Sequence, residues 1–453
     1  MRVRTVLETT PGSVVALIES LRRELCDPEF MKRHRFCDRD FTRERQLTFP
    51  VVMLFILQKT AKSIQRHLHE LFDLIAGESA MQPATAGAFT HARAKLKHTA
   101  FVELNAEVVL PAIYGAKREK EVRRWRGHRL LGIDSSRLRL PVHGELFHKF
   151  TPREVHAEDG SMKIYPEARI SVLYDLLNRV ALDGQIRPSS QGEVGIAIEQ
   201  LDQAALKDVI VTDRGYTGYA YLSAVIYMGL DFVARCSSSS FAAAQELFRM
   251  NRAGRSVIAK LVAPTELHEH LKDCGRALEL TVRFISLRLP TGELEVLATS
   301  LLDEQQYPTE EFMQVYGSRW NHETFYFLMK SRLDLENFSG ETAEAIRQDF
   351  FSTLMLCNLE TVLTAPAQTA LDQQSEKHES PQAVNHAVAF HAIKHRLFEL
   401  LYSDTPAAEV VTQLQTLFQG TPVSRRKDRK LPRPKASVHR SYYFQRCLRK
   451  ITF

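Results

Sequence analysis

The stretch YGSRWNHETFYFLMK at residues 316–330 carries four polar side chains at intervals that fit one face of an α-helix. They are Tyr316, Arg319, Glu323 and Lys330, at offsets of 0, 3, 7 and 14 from the tyrosine. With about 3.6 residues per turn, these offsets predict one face that bears a hydroxyl, a guanidinium, a carboxylate and an ammonium group. A face that packs on the core would be apolar at these positions. The pattern indicates a helix that holds a metal ion and an anionic polymer.

An ordinary surface ion pair is the alternative interpretation of this stretch. Arg319 and Glu323 are four residues apart, and such pairs stabilise a helix by only a few tenths of a kcal/mol. For that pair alone, the surface ion pair is the commoner arrangement. The functional interpretation therefore depends on Tyr316, on Lys330 and on acidic residues elsewhere in the chain.

Two aspartates follow short apolar segments upstream. Asp134 ends the segment LLGID, and Asp213 ends the segment DVIVTD at 208–213. With the β-segments and helices around them, the order is strand, strand, strand, helix, strand, helix, strand, which is the ribonuclease-H-like pattern. Its first and fourth strands are neighbours, so we predict that Asp134 and Asp213 lie side by side at the carboxyl ends of their strands, where such sheets bind ligands. An isolated aspartate at a strand end is also an ordinary cap or turn residue.

These motifs together resemble those of the DDE transposases of the insertion-sequence family numbered four. The spacing Tyr-x2-Arg-x3-Glu-x6-Lys resembles the family signature, and RW at 319–320 matches a common local variant. DRGY at 213–216 matches the second-aspartate motif, and IDS at 133–135 resembles the first. The resemblance is good over 128–345 and weak at both ends of the chain.

The resemblance implies a metal-dependent reaction, in which strand cleavage at transposon ends precedes attack of the free 3′-OH on target DNA. It implies two Mg²⁺ ions, with Mn²⁺ as a substitute, because carboxylate oxygens suit hard divalent ions. The implied catalytic and metal-binding residues are Asp134, Asp213 and Glu323. The implied DNA-binding residues are Tyr316, Arg319, Lys330, Trp320 and Arg214.

The implied partners are transposon-end and target double-stranded DNA, with a homodimer in the synaptic complex and no membrane. Three alternatives remain at this point. The same triad serves a ribonuclease-H-like nuclease without strand transfer. The chain could instead be a DNA-binding protein without catalysis, or a helical scaffold in which the acids are incidental.

The fold class predicted is α/β, with a ribonuclease-H-like mixed sheet, flanking helices, a β-rich insertion and an N-terminal helical domain. Arg93, Lys95 and Lys97 resemble the basic side of a recognition helix behind a turn. A helical bundle with solvated cations fits them equally well. The predicted organisation is a helical DNA-binding domain at 1–115, catalytic-core segments at 116–236 and 308–365, a β-rich insertion at 237–307, a linker at 366–385, and a helix with a basic tail at 386–453.

Charge and composition fit a nucleic-acid partner. The 453-residue chain has a net charge of +6, and residues 425–450 hold eleven Lys or Arg and one acid, a local charge of +10. Such a tail predicts binding to a polyanion, although a solubilising tail has the same composition. The six cysteines show no spacing typical of a metal site, which favours free thiols in a reducing compartment. With no apolar run long enough to span a bilayer and no signal-peptide pattern, we expect a bacterial cytoplasmic protein.

Overall fold

A computed structural model gives the structure of residues 10–43, 45–59, 63–76, 82–115, 121–156, 160–374 and 381–424. This part of the chain divides into two compact units. The first unit comprises 123–137 and 169–326, and the second comprises the described residues of 6–122, 138–168 and 327–424. The basic tail at 425–453, for which DNA binding is predicted, lies outside the described residues.

Helices and strands alternate through the middle of the chain, and helices dominate both ends. The α-helices of the described residues are α1 Pro11–Leu25, α2 Pro28–His34, α3 Phe49–Gln58, α4 Ile64–Ala76, α5 Ala86–Arg93, α6 Thr99–Glu103, α7 Leu110–Tyr114, α8 Gly144–Lys149, α9 Glu193–Gln200, α10 Tyr219–Tyr227, α11 Ala242–Met250, α12 His268–Asp273, α13 Phe312–Gly317, α14 Trp320–Phe327, α15 Ala343–Gln374, α16 His386–His395, α17 Leu397–Leu401 and α18 Ala407–Gly420. The strands are β1 Leu130–Arg139, β2 Thr151–His156, β3 Met162–Asp175, β4 Val180–Pro188, β5 Val209–Thr212, β6 Asp231–Arg235, β7 Arg255–Val262, β8 Glu279–Arg288, β9 Leu294–Thr299, β10 Gln382–Ala383 and β11 Val423–Ser424.

A mixed sheet forms the framework of the first unit. Within the described residues its strand order is β4-β3-β1-β5-β6-β9-β8-β7, and β2 pairs with the first half of β3 in the second unit. Strands β1, β5 and β6 are parallel, whereas β6 and β9 are antiparallel. The order β3-β1-β5-β6, with β4 beyond β3, confirms the predicted ribonuclease-H-like arrangement of a mixed sheet with flanking helices.

The segment between the first two predicted strands is longer and more elaborate than the sequence indicates. Strand β1 continues five residues past Asp134 to Arg139, so the prediction that it ends at this aspartate is wrong. Helix α8 and strand β2 then precede β3, where the sequence predicts a simple meander. The sequence does not predict the rest of β1, because the residues after Asp134 are mostly polar. A strand with one exposed side lacks a continuous apolar run.

The region 237–307 contains three long strands, as its β-rich pattern predicts. These strands extend the main sheet, because β9 pairs with β6 at residues 233–235. Strand β8 pairs with β9 on one side and with β7 on the other, which leaves β7 last in the strand order. Apolar side chains of β5, β6 and β8, including Ile210, Phe232 and Phe284, are buried in one core of the first unit.

The second unit is helical in most of its described length, and one buried arginine links its distant segments. Arg93 at the end of α5 donates from Nη2 to Asp349 Oδ1 at 2.7 Å and from Nε to Gln348 Oε1 at 2.6 Å. Both Arg93 and Asp349 are buried. The hypothesis that Arg93 belongs to a DNA-reading surface is therefore wrong. Its charge is neutralised within the unit, since a buried cation requires a partner.

The long helix α15 runs from Ala343 to Gln374 and contains Pro366. The linker predicted to begin at 366 is therefore helical over its first nine residues. The stretch that precedes Pro366 is buried on most sides, and this packing outweighs the loss of one backbone hydrogen bond at a proline. Across the helices of the described residues, none is both long and apolar enough to cross a bilayer.

Candidate functional site

Asp134 lies within β1, and Asp213 directly follows the last residue of β5, the adjacent parallel strand. The register of β1 and β5 pairs Leu130 with Val209 and Gly132 with Val211. Each aspartate follows the Gly132–Val211 pair by two residues. Neighbouring strands are about 4.8 Å apart, so the two carboxylates start from adjacent backbone positions. The predicted neighbourhood of the two strands is confirmed, and the convergence of the two carboxylates stays a prediction.

Backbone contacts hold both aspartates in place. Asp134 Oδ1 accepts from the Ser135 N–H at 2.8 Å, and Asp213 Oδ1 accepts from the Arg214 N–H at 2.8 Å. The carbonyl oxygen of Asp134 accepts from the Tyr326 hydroxyl at 2.6 Å, so α14 is bonded to the strand at the aspartate itself.

The signature stretch is not one continuous α-helix. Tyr316 lies in α13, Glu323 lies in α14, and Lys330 lies in a π-helical segment at Leu328–Arg332 that belongs to the second unit. Between α13 and α14 the amide of Arg319 bonds to the Tyr316 carbonyl oxygen at 3.0 Å, three residues back. Gly317 and Ser318 are poor helix formers, which explains the tightened turn. The prediction of four side chains on one regular helical face is therefore wrong.

Helix α14 packs closely on β1 because position 132 is a glycine. A Cβ atom at Gly132 would lie 2.8 Å from Leu176 Cδ2 and 3.0 Å from His322 Nδ1. Asn321 Nδ2 also donates to the Leu176 carbonyl oxygen at 2.8 Å. These contacts place His322, the residue before Glu323, against β1, the strand that carries Asp134.

The positive charge of Arg319 interacts with all three acids of the predicted triad. Its Nη2 donates to Glu323 Oε1 at 2.7 Å, and its side chain is buried. Burial alone would lower the pKa of Arg319, but Tyr316, Glu323 and Asp213 together raise it, so the group stays charged. The positive charge also lowers the pKa of Asp134, against the effect of burial. The ion pair is not the exposed surface pair of the alternative interpretation.

Asp213 has a hydroxyl and a second cation beside it. The Tyr316 hydroxyl donates to Asp213 Oδ1 at 3.4 Å, and Arg235 Nη1 lies 3.7 Å from the same oxygen. Burial raises the pKa of Tyr316 to about 12, so this hydroxyl remains protonated. Arg235, at the end of β6, also donates to Glu295 of β9. Strand β9 of the insertion therefore helps to hold the arginine that lies beside Asp213.

The charge of Asp134 is compensated only in part by its neighbours. Burial, with smaller contributions from Asp213 and Glu193, raises its pKa from 3.8 to about 6. The Ser135 amide and Arg319 counter this effect only in part. A carboxyl group with these neighbours gains from a nearby cation, since an added positive charge favours its ionised form.

The other predicted DNA-binding residues differ in exposure. Trp320 is 49% exposed, and Arg214 is also exposed in the turn after Asp213. Lys330 is partly buried, and burial lowers its pKa against the opposing effects of Glu336 and Glu167. The assignment of Trp320, Arg214 and Lys330 to DNA binding stays a prediction.

Comparison with known proteins identifies the family. The profile of the transposase DDE domain matches residues 125–359, more than half of the 453-residue chain. The chain belongs to the DDE transposase domain family. The match includes Asp134, Asp213 and Glu323, which lie in the first unit.

Two individual proteins resemble this member of the DDE family. The transposase InsG for insertion sequence element IS4 of Escherichia coli K12 is 24% identical over 240 residues, which are 52% of this chain and 52% of that protein. The chain thus matches about half the length of this curated relative. A cryo-EM structure of the piggyBac transposase synaptic complex with hairpin DNA aligns over 92% of this chain and 86% of that chain, with 11% identity and a TM-score of 0.38.

DDE transposases generally use divalent metal ions, and the donor chemistry of the site fits such an ion. Asp134, Asp213 and Glu323 supply hard carboxylate oxygens, and within the described ranges the hydrogen bond to the Asp134 carboxylate comes from the neutral Ser135 amide. In the described residues no three Asp, Glu, His or Cys side chains form a metal-binding cluster. Glu323 is bonded to Arg319 instead. The convergence of all three carboxylates on a metal ion therefore stays a prediction.

Several residues of this DDE site were not predicted from the sequence. Arg235 carried a usable signal, because it ends the strand next to the one that precedes Asp213. The sequence gives no signal for Glu193 or the buried His322, since a glutamate at the start of a helix and a histidine within a helix are both common. Burial lowers the pKa of His322 to about 3, so this ring is neutral where it packs on β1.

Proposed function

We propose that this protein is a DNA transposase that performs metal-dependent cut-and-paste transposition of an insertion sequence. The observation that carries the proposal is that Asp134 and Asp213 each follow the paired residues Gly132 and Val211 of two parallel strands by two positions. Glu323 is bonded to Arg319, whose charge affects both aspartates. The matched relative is named as a transposase for an insertion sequence element, and the proposal extends that role to this chain.

Asp134, Asp213 and Glu323 are the residues that would hold divalent ions, two Mg²⁺ in our proposal, with Mn²⁺ as a substitute. Such ions, when bound, activate a nucleophilic water or 3′-OH and stabilise the leaving oxygen of an in-line displacement. Asp134 would be one of the residues that hold these ions, because its strand lies between β3 and β5 and its charge is compensated only in part.

The basic side chains of the site orient the DNA in this proposal. Arg319, which is bonded to Glu323, would contact a phosphate oxygen of the DNA held at the acids. A guanidinium matches the geometry of a phosphate group better than an ammonium does. The Tyr316 hydroxyl stays protonated and donates to Asp213, which orients that carboxylate.

The proposed partners are the double-stranded ends of the element and the target DNA, with a homodimer in the synaptic complex. The basic residues at 425–450 would add contacts that do not depend on sequence. Exposed Trp320 and Arg214 lie in the same unit as the acids and offer an aromatic face and a cation to DNA.

The proposal is tested with DNA that carries the sequences flanking the coding region on both sides. The protein, this DNA, a target plasmid and Mg²⁺ are incubated, and nicked, excised and joined products are separated by gel. We expect excision and joining, and neither product with Asp134→Asn. Nicking without joining would instead indicate a nuclease that lacks strand transfer. DNA binding without metal-dependent nicking would indicate a non-catalytic DNA-binding protein.

A further inference from the structure

A fourth acidic side chain, Glu193, is bonded to the residue after Asp134 in the first unit. It is the first residue of α9. Its Oε2 accepts a hydrogen bond at 2.6 Å from Ser135 Oγ, which belongs to the residue after Asp134. The same oxygen accepts a second hydrogen bond at 3.1 Å from Arg169 Nη1 of β3. The carboxylate is thus attached to both β1 and β3 beside the first aspartate of the triad.

The other oxygen of Glu193 reaches the loop after β5. Glu193 Oε1 would lie 3.1 Å from a Cβ atom at Gly215, two residues beyond Asp213. Among the described residues, the hydrogen bonds to this carboxylate are made at Oε2 only. The absence of a side chain at Gly215 therefore leaves space for Oε1. Glu193 is bonded to the residue after Asp134 and lies beside the turn after Asp213.

Ser135 connects Glu193 to Asp134 through two hydrogen bonds. The Ser135 hydroxyl is bonded to Glu193, while its amide donates to Asp134 Oδ1 at 2.8 Å. Arg169 Nη1 also donates to Ser135 Oγ at 2.9 Å, which closes a triangle of hydrogen bonds. A change at Glu193 would therefore alter the backbone group that orients the Asp134 carboxylate.

Glu193 also contributes charge to the site. Its negative charge is among those that act on Asp134, together with that of Asp213. Arg169 is paired with Glu193, and its side chain is only 13% exposed. Removal of the Glu193 charge would leave Arg169 without its acidic partner close to Asp134. The uncompensated positive charge of Arg169 would then repel a divalent cation at the site.

We propose that Glu193 is a positioning residue of the catalytic centre, which fixes Asp134 through Ser135 and whose negative charge strengthens divalent-cation binding. This inference rests on the proposed function. Glu193 is not a member of the Asp134, Asp213 and Glu323 triad, and the family signature does not include it.

The charge contribution is tested by calorimetric titration of the full chain with Mn²⁺ in the absence of DNA. Glu193→Gln keeps an oxygen that accepts from Ser135 but loses the charge, so we expect about tenfold weaker Mn²⁺ binding. Glu193→Asp keeps the charge, and it should restore affinity to within about threefold of wild type. Glu199→Gln is the matched control, since Glu199 lies on the same helix and pairs at 3.3 Å with Arg187. This control should bind Mn²⁺ as wild type does.

The positioning contribution is tested separately with two variants that keep every charge. Ser135→Ala removes the hydroxyl that Glu193 holds, and Gly215→Ala places a methyl group against Glu193 Oε1. For both we expect the turnover number for DNA nicking to fall about tenfold while the KM for DNA is unchanged, because only the orientation of a reacting group is affected. Wild-type turnover in both variants would overturn the positioning role.

Two further outcomes are decisive. If Glu193→Gln lowers the thermal unfolding midpoint but binds Mn²⁺ as wild type does, Glu193 is only the structural partner of Arg169, and the inference is overturned. If wild type itself binds no Mn²⁺, or if Asp134→Asn binds it equally well, the proposed catalytic centre fails and the inference falls with it. Wild-type binding that Asp134→Asn loses and Glu193→Gln weakens supports both.

Discussion

Asp134 and Asp213 each follow, by two residues, the paired residues Gly132 and Val211 of the neighbouring parallel strands β1 and β5. The register pairs Leu130 with Val209, a separation of 209 − 130 = 79 residues, and the two aspartates have the same separation, 213 − 134 = 79. Asp134 is thus a residue of β1, and Asp213 begins the turn directly after β5. Arg319 and Arg235 lie near this pair as the principal cations, so charge balance at the site depends on them.

Gly132 is expected to be intolerant of a side chain because α14 packs directly above it. Gly132→Ala would bring a Cβ atom within 3.0 Å of both Leu176 and His322, so the helix must shift. We expect a loss of about 1–3 kcal/mol in the free energy of unfolding, measured by urea denaturation, and a lower nicking rate. Gly195→Ala is the control, because a Cβ atom there has no neighbour within 4 Å. Equal stability of the two variants would contradict the close packing of α14 on β1.

Asp134→Asn is expected to stabilise the metal-free protein at neutral pH. The pKa of this acid is raised from 3.8 to about 6, so the folded state binds its proton more tightly than the unfolded state does. The stability contributed by the protonated carboxyl group is present below about pH 4 and is lost as the pH rises to about 6. The asparagine variant should therefore gain at most about 3 kcal/mol at pH 7 relative to wild type, and little at pH 4.

Unfolding in denaturant at both pH values, with a chelator present, measures this difference. The same gain at pH 4 and pH 7 would mean that the stabilisation has another cause than the ionisation of Asp134. Saturating Mn²⁺ should reverse the order at pH 7, because wild type gains binding free energy that the variant lacks.

The sequence alone predicts that the strands before Asp134 and Asp213 are neighbours in a mixed sheet, because this follows from the apolar segments and their alternation with helices. It does not predict the division of the signature stretch into α13, α14 and a π-helical segment. That division depends on Gly317 and Ser318 and on the docking of α14 at Gly132, a contact between residues almost 200 positions apart. Helical spacing carries no information on such contacts.

Long-range partners also account for the errors at charged residues. Arg93 has the pattern of a solvated cation in the sequence, yet Asp349 neutralises it inside the second unit. Arg319 has the pattern of a phosphate contact or a surface ion pair, yet it is buried and bonded to Glu323. Glu193 has no pattern, and only the fold brings it to Ser135.

Arg319 and Lys330 are expected to contribute to DNA affinity without being needed for metal binding. Arg319→Ala removes a cation beside Glu323, so Mn²⁺ binding should persist or tighten while affinity for the element's ends falls. Lys330→Ala should lower DNA affinity with unchanged Mn²⁺ binding. Calorimetry with Mn²⁺ and a DNA-binding assay on each variant measure both quantities. Lost metal binding with unchanged DNA affinity would reverse the assignment.

Removal of residues 425–453 is expected to weaken DNA binding equally for specific and unrelated sequences. The segment 425–450 carries a charge of +10, and each phosphate contact that is lost should reduce the slope of log affinity against log salt by about 0.9. Affinities at several salt concentrations, for the full chain and the shortened one, give the two slopes. Identical slopes would show that the tail makes no contact with phosphates.

The nicking rate of Glu323→Gln with Mg²⁺ and DNA from the element's ends tests the account most directly. Glutamine has nearly the size and helix propensity of glutamate, so α14 should persist and DNA affinity should hold or rise. The loss of one anionic ligand should lower the rate by at least about 10³-fold, since metal ions stabilise the transition state by several kcal/mol. If Glu323 were only the partner of Arg319, the substitution would cost under about 1 kcal/mol of stability. A folded variant that nicks at close to the wild-type rate would contradict the catalytic role of Glu323.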